Sequence, residues 1–155
     1  MTGKREIQAK PVLVAVDGSP ESENALRWAK DRSSQTGVDL RIITCYQHFY
    51  TTGVEGAVSW DHFESTKKVS EARAVEVIER VLGTTDVDHV VALGPVDKVV
   101  ADHSKEASMV VLGTRSSYGL RGRLRASTTD RITGKVTCPV VSVPLDSDAL
   151  MGAGL

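Results

Sequence analysis

Short apolar runs alternate with helix-like stretches along the whole chain. The first run, residues 11–16, reads Pro-Val-Leu-Val-Ala-Val, which is too short for a typical helix and rich in β-branched residues. A continuous apolar run of this kind predicts a strand buried on both faces, as in a parallel sheet. Asp17-Gly18-Ser19-Pro20 then predicts a tight turn and a capped helix start, and Gly37 predicts the end of that helix.

The same pattern predicts four more strands and three more helices. The strands are expected at Leu40–Cys45, Val87–Leu93, Met109–Leu112 and Pro139–Val143, and the helices at Trp60–Leu82, after Gly94-Pro95, and at Ser127–Gly134. In the long helix, Ala72, Val75, Ile78 and Leu82 have the spacing of a buried stripe. The alternation predicts an α/β fold, a single-domain open parallel sheet with helices on both faces. Ligands bind such sheets at the carboxyl ends of the strands, so the strand exits carry the candidate chemistry.

Composition narrows the class of protein. The chain has 155 residues, 41% hydrophobic and 25% charged, which suits one globular domain and excludes disorder as the main state. No apolar run approaches the ~20 residues of a membrane helix, Met1–Lys10 is polar, and two cysteines make no disulfide scaffold. We therefore expect a cytoplasmic domain over residues 10–145, with flexible termini at 1–9 and 146–155 and no membrane partner.

The fourth strand exit has the richest candidate chemistry. Residues 113–129 combine glycines, hydroxyl side chains and arginines between a strand and a helix, a composition suited to a phosphate. The segment 113–135 has a net charge of +5 against −6 for the rest of the chain. Its charged residues are Arg115, Arg121, Arg123, Arg125, Arg131 and Lys135, with Asp130 as the one acid. An ordinary solvated loop is the alternative interpretation. The overall charge of −1 and the pI near 6.4 argue against nucleic acid as a partner.

Several named phosphate sites do not fit. A P-loop needs Ser or Thr after its Gly-Lys pair, but Gly134-Lys135 is followed by Val136, and the dinucleotide fingerprint G-x-G-x-x-G is absent. The third strand exit, Ala92-Leu93-Gly94-Pro95, lacks the acid that a response regulator would need. A flavodoxin is harder to exclude, although Tyr118 is the only aromatic residue in the glycine-rich loop.

Four segments together resemble the universal stress protein family. They are Val14-Ala15-Val16-Asp17-Gly18-Ser19, Gly94-Pro95-Val96, Val110-Val111-Leu112-Gly113-Thr114-Arg115 and Cys138-Pro139-Val140-Val141-Ser142-Val143. The resemblance covers about residues 10–144. It implies an adenine nucleotide alpha hydrolase-like, Rossmann-like sheet with strand order 3-2-1-4-5.

The resemblance also implies a nucleotide site. Nucleotide-binding members carry G-x2-G-x9-G followed by Ser or Thr after the fourth strand. Here the first glycine matches Gly113 and the hydroxyl matches Ser127, while Ser116 and Ala126 replace the other two glycines. Asp17 would lie by the ribose or phosphates, and Thr44 or Cys45 would meet the adenine. The other implied contacts are Ala15 and Val16 along the site, Gly119 inside the loop, and Gly113, Ser116, Ala126, Ser127 and Thr128 around ribose and phosphates.

Other candidate residues have plainer interpretations. Asp17 could be a catalytic acid, a ligand-binding group or a turn former that bonds local amides. The four histidines do not cluster at metal spacing, and His103 shares a helix face with valines, which favours partial burial. Cys45 and Cys138 are interpreted as reduced core thiols in strands that are not neighbours. The aromatic stretch 46–63 could be a lid or partner flap, or a loop that folds back onto the sheet edge.

The last strand predicts an assembly. Val140–Val143 would form an apolar edge of the sheet, which is a pairing site. The resemblance implies a homodimer through Val141 and Val143. The sequence as a whole thus predicts a universal stress-type module that binds ATP or another adenine nucleotide, with or without magnesium, and does not turn it over rapidly. The alternatives are a member without nucleotide that acts through dimer and partner surfaces, and a slow ATPase.

Overall fold

The computed structural model describes residues 9–46, 60–114 and 128–145, where strands and helices alternate in the predicted order. The elements are β1 (Val12–Ala15), α1 (Pro20–Thr36), β2 (Leu40–Tyr46), α2 (Trp60–Leu82), β3 (Asp88–Leu93), α3 (Val96–Ser104), β4 (Met109–Thr114), α4 (Thr128–Thr133) and β5 (Val140–Pro144). The expected tail 146–155 and most of the aromatic stretch lie outside the described residues.

All five strands are parallel and lie in the order β3-β2-β1-β4-β5, which confirms the predicted fold. The order reverses between β1 and β4, where Val14 is paired with Val111. The strand β4 extends two residues beyond its apolar run, because Gly113 and Thr114 stay in register with β5. A small or polar side chain ends the apolar run in the sequence, but it does not end the hydrogen-bonded pairing of the backbone.

The core has two halves, one on each face of the sheet. Val12, Val14 and Ile42 pack with α1 and α2, whereas Leu13 and Ile43 pack with α3 and α4. Successive strand residues point to opposite faces, so burial on both faces requires the continuous apolar runs seen in the sequence.

The predicted buried stripe of α2 is wrong in half of its positions. Ala72 and Val75 are exposed, and Ala74 takes the place predicted for them beside Ile78, which is buried as predicted. Val77, Val81 and Leu82 also pack on this core half. The sequence places valines on adjoining faces of the helix, and the position of the sheet decides which of those faces is covered.

Helix α1 begins and ends where the sequence predicts. Ser19 is its N-cap and its hydroxyl accepts a hydrogen bond from the Ser22 amide (3.2 Å), while Gly37 adopts φ +70° after the last turn. Its first turn lies against β4 so closely that a Cβ on Gly113 would clash with the Glu21 carbonyl group and lie 2.7 Å from the Ser22 nitrogen. Gly113 therefore has a packing role that is independent of any ligand.

The cysteines are free and half-buried against the core half that holds α3 and α4, in agreement with their interpretation as core thiols. Cys138 lies just before β5 rather than in a strand. His103 is half-buried on the inner side of α3, as expected. Among the described helices, none has both the length and the apolar character required to span a membrane.

Candidate functional site

The exit of β1 is a turn held by its own side chains. Asp17 Oδ1 accepts a hydrogen bond from the Ser19 amide (2.9 Å), and the Asp17 amide donates to Ser22 Oγ (3.3 Å). Gly18 adopts φ +83°, a conformation that glycine reaches without strain. The turn-former interpretation of Asp17 is thereby confirmed, and its exposed side chain stands at the carboxyl end of β1 beside the start of α1.

A cavity of about 360 Å³ lies at this end of the sheet, a volume in the range of small-molecule sites. From the strands it is lined by Val16, Asp17, Gly18, Thr44 and Cys45. The Val16 amide donates to the Ile43 carbonyl (2.9 Å), which continues the β1–β2 pairing one residue beyond β1 and sets the two strand exits side by side.

The cavity brings together four of the residues predicted for the nucleotide site: Val16, Asp17, Thr44 and Cys45. Ala15 packs instead on the core half with α3 and α4, and Gly113 and Thr128 are not among the lining residues. The remaining candidates, Ser116, Gly119, Ala126 and Ser127, lie outside the described residues.

Sequence reasoning missed the other wall of the cavity, which is formed by α2. Ser70, Arg73, Ala74, Glu76, Val77 and Arg80 line it. Four of these positions follow the i, i+3, i+4, i+7 spacing of one helix face, so the signal was present in the sequence. The predicted stripe lies instead at Ala72, Val75, Ile78 and Leu82, because the sequence does not show that α2 crosses behind the exit of β1.

Charges around the cavity differ in how they are paired. Arg80 forms an ion pair with Glu23 of α1, which also lies 3.8 Å from Arg27. Away from the cavity, Lys135 at the end of the cationic segment 113–135 pairs with Asp97 of α3 at 2.5 Å. That hydrogen bond, donated by the Lys135 ammonium, lowers the pKa of Asp97 and leaves one cation of the segment committed to α3.

The Thr44 side chain has a hydrogen-bonding partner in the neighbouring strand β3. The His89 Nε2 atom of β3 lies 3.2 Å from Thr44 Oγ1. Burial lowers the pKa of His89 below 6.5, although the carboxylates of Glu71 and Asp88 act in the opposite direction. A neutral imidazole can donate to the hydroxyl oxygen through Nε2–H, which would leave the Thr44 hydroxyl proton directed to another acceptor.

The thiol in the cavity is not prepared for nucleophilic chemistry. Burial raises the pKa of Cys45 to about 11, so it is protonated at neutral pH, and the thiolate is the reactive form. Within the described ranges, no group of three or more His, Cys, Asp and Glu residues could hold a metal ion. The described walls therefore fit binding through hydrogen bonds and contact better than covalent chemistry.

Comparisons with known proteins point to one family. The family model described as the universal stress protein family matches residues 8–144. A universal stress protein of Mycolicibacterium smegmatis is 29% identical over 133 residues, which are 86% of this chain and 45% of that protein. The chain spans about half the length of the curated relatives it matches.

Solved structures of low sequence identity share the fold. The universal stress protein UspA from Lactobacillus plantarum has a TM-score of 0.66 at 17% identity, over 88% of this chain and 98% of that chain. A universal stress protein from Archaeoglobus fulgidus in complex with dAMP has a TM-score of 0.53 at 19% identity, over 88% and 99%. A further universal stress protein structure, in complex with cAMP, has a TM-score of 0.53 at 21% identity, over 88% of this chain and 97% of that chain.

Proposed function

Because the chain belongs to the universal stress protein family, we propose that it binds an adenine nucleotide at the carboxyl ends of β1, β2 and β4 and acts as a non-catalytic stress-response module. The observation that carries the proposal is the cavity where Val16, Asp17, Thr44 and Cys45 meet. The family resemblance predicted those four residues for the nucleotide.

The residues present fit such a ligand. The exposed carboxylate of Asp17 suits a ribose, because it can accept charge-assisted hydrogen bonds from the ribose hydroxyl groups. The Thr44 hydroxyl and the apolar Val16 side chain suit the edge and face of a base, and Cys45 lies at the same strand exit. Phosphates would extend toward Gly113 and the cationic loop, through Ser116, Gly119, Ala126, Ser127 and Thr128.

Two of the fold relatives support the ligand class, since one was solved with dAMP and another with cAMP. Both ligands contain an adenine ring, a pentose and one phosphate group. For this chain we propose ATP, with or without magnesium, because the segment 113–135 carries enough cations to suit a polyphosphate.

Calorimetric titration with ATP, AMP and cAMP tests the proposal, together with mass spectrometry of small molecules released from the denatured protein. Asp17→Asn is the informative variant, because its amide oxygen can still accept from the Ser19 amide and keep the turn. Loss of the charge should weaken nucleotide binding about tenfold, the worth of a hydrogen bond to a charged group.

Each alternative function predicts a different result in the same assay. No heat and no released nucleotide would reject the proposal in favour of a member that acts through dimer and partner surfaces. Phosphate release from ATP that disappears in Asp17→Asn would instead indicate a slow ATPase.

We also propose a homodimer through the edge strand β5. The Pro139 carbonyl accepts from the Val110 amide, so alternate peptide groups at Val140 and Ser142 face the open edge. Val143 is buried and Val141 packs on the core, so their side chains would hold β5 in place within the protomer. The open backbone groups of β5 would then pair with β5 of the second copy. Light scattering at micromolar concentration should give twice the chain mass, and a monomer there would refute the dimer.

A further inference from the structure

The α2 wall of the cavity has a defined direction. Val77 lies behind the exit of β1, since a Cβ on Gly18 would be 3.9 Å from its Cγ2 atom. Six residues earlier in the helix is Glu71, whose carboxylate opposes the lowering of the His89 pKa by burial, and His89 of β3 contacts Thr44. The helix therefore passes from the β3 side to β1, and Arg73, between Glu71 and Val77 in sequence, lines the cavity together with Thr44 and Cys45 of β2.

Arg73 differs from the other arginine of the wall. The two are seven residues apart, about 10.5 Å along the helix axis, with Ala74 and Val77 between them. Arg80 is engaged by Glu23 of α1. Within the part of the chain that the structure describes, Arg73 makes no hydrogen bond or ion pair, although it is exposed and lines the cavity.

The cavity also lacks a conventional stacking partner for a base. Among the described residues that line it, no side chain carries an aromatic ring. A guanidinium group is flat, weakly hydrated and stacks on π systems, so it can take that role where an ammonium group cannot. Near Thr44 and Cys45, Arg73 supplies the planar group that is not already committed to an ion pair.

We propose that Arg73 stacks on the base of the bound nucleotide at the β2 end of the cavity and so contributes to affinity for the nucleoside rather than for the phosphates. This inference rests on the proposed function. It assigns to α2 a part of the site that the family resemblance placed only on strand exits and on the loop after β4.

Titrations of adenosine, AMP and ATP with Arg73→Ala and Arg73→Lys test the inference. A stacked guanidinium should contribute about fivefold in affinity, equally for the three ligands, because all three share the base. Lysine keeps the charge but not the plane, so Arg73→Lys should be as weak as Arg73→Ala. Lys68→Ala, which removes an exposed cation of α2 outside the cavity, should bind like the unmodified chain.

The outcomes separate this inference from the proposed function. If the unmodified chain binds and Arg73→Ala binds equally well, the inference is wrong and the site stands. If the loss grows from adenosine to ATP, or Arg73→Lys restores affinity, Arg73 contacts phosphate instead and the stacking inference is overturned. If the unmodified chain binds none of the three ligands, the proposed function fails and the role of Arg73 falls with it.

Discussion

The two ends of the sheet carry cavities of different character. The cavity at the amino ends of the strands is the larger, about 700 Å³, against about 360 Å³ at the carboxyl ends. Some of its charges are paired within the protein. Arg41 pairs with Asp88 at 2.6 Å, and the Lys10 ammonium donates to the Lys105 carbonyl at 3.0 Å.

The smaller cavity has what the larger one lacks. It lies where β1 turns sharply through Asp17 and Gly18 into the start of α1. Parallel strands place turns of this kind, followed by helix starts, at their carboxyl ends only. Volume alone would therefore favour the amino end of the sheet, whereas the direction of the chain favours the carboxyl end, where we propose the ligand site.

The largest effect is expected for Gly113→Ala at the carboxyl end. The added Cβ would meet the backbone of Glu21 and Ser22, which cannot move without shifting the start of α1. Overpacking of this kind should lower the free energy of unfolding by about 3 kcal/mol, measured by urea denaturation. Gly134→Ala is the matched control, since its Cβ would have an ordinary contact of 3.8 Å. Equal stability of the two variants would show that α1 does not press on β4.

A smaller effect is expected for Arg41→Gln at the amino end. The ion pair with Asp88 is solvent-exposed, so its loss should lower the free energy of unfolding by less than about 1 kcal/mol. Nucleotide affinity should be unchanged in calorimetry. A clear loss of affinity would break the contrast between the two ends, because it would place ligand binding at the larger cavity.

The smallest effect concerns His89 of β3, which contacts Thr44 at the carboxyl-end cavity. Its pKa is lowered in the folded state, so the unfolded chain takes up a proton first as the pH falls. The contribution of His89 to the free energy of unfolding should therefore be level above about pH 6.5 and decrease slightly as the pH falls from there to the lowered pKa of His89. Urea denaturation at several pH values measures the slope.

His89→Gln provides the comparison for that slope. Glutamine can still hydrogen-bond Thr44 but does not titrate, so this variant should lose that part of the pH dependence. An unchanged slope would assign the effect to another group.

Parts of the site could be predicted from sequence because they are local. Asp17-Gly18-Ser19-Pro20 specifies its turn and helix cap through residues within five positions of each other. The exits of β1 and β2 could be predicted as neighbours, because a short right-handed crossover joins parallel strands that lie side by side. The α2 wall could not, since the valines of that helix allow more than one buried face.

The sequence by itself determined five strands, four helices, their order and the turn at Asp17. Each of these depends on periodicity or on contacts between close neighbours in the chain. Only the tertiary structure decided that Ala74 rather than Val75 is buried, that Gly113 must leave room for the first turn of α1, and that Arg73 lines the same cavity as Thr44 and Cys45. Those facts depend on the angle at which a helix crosses the sheet, and that angle is set by the packing of residues far apart in the sequence.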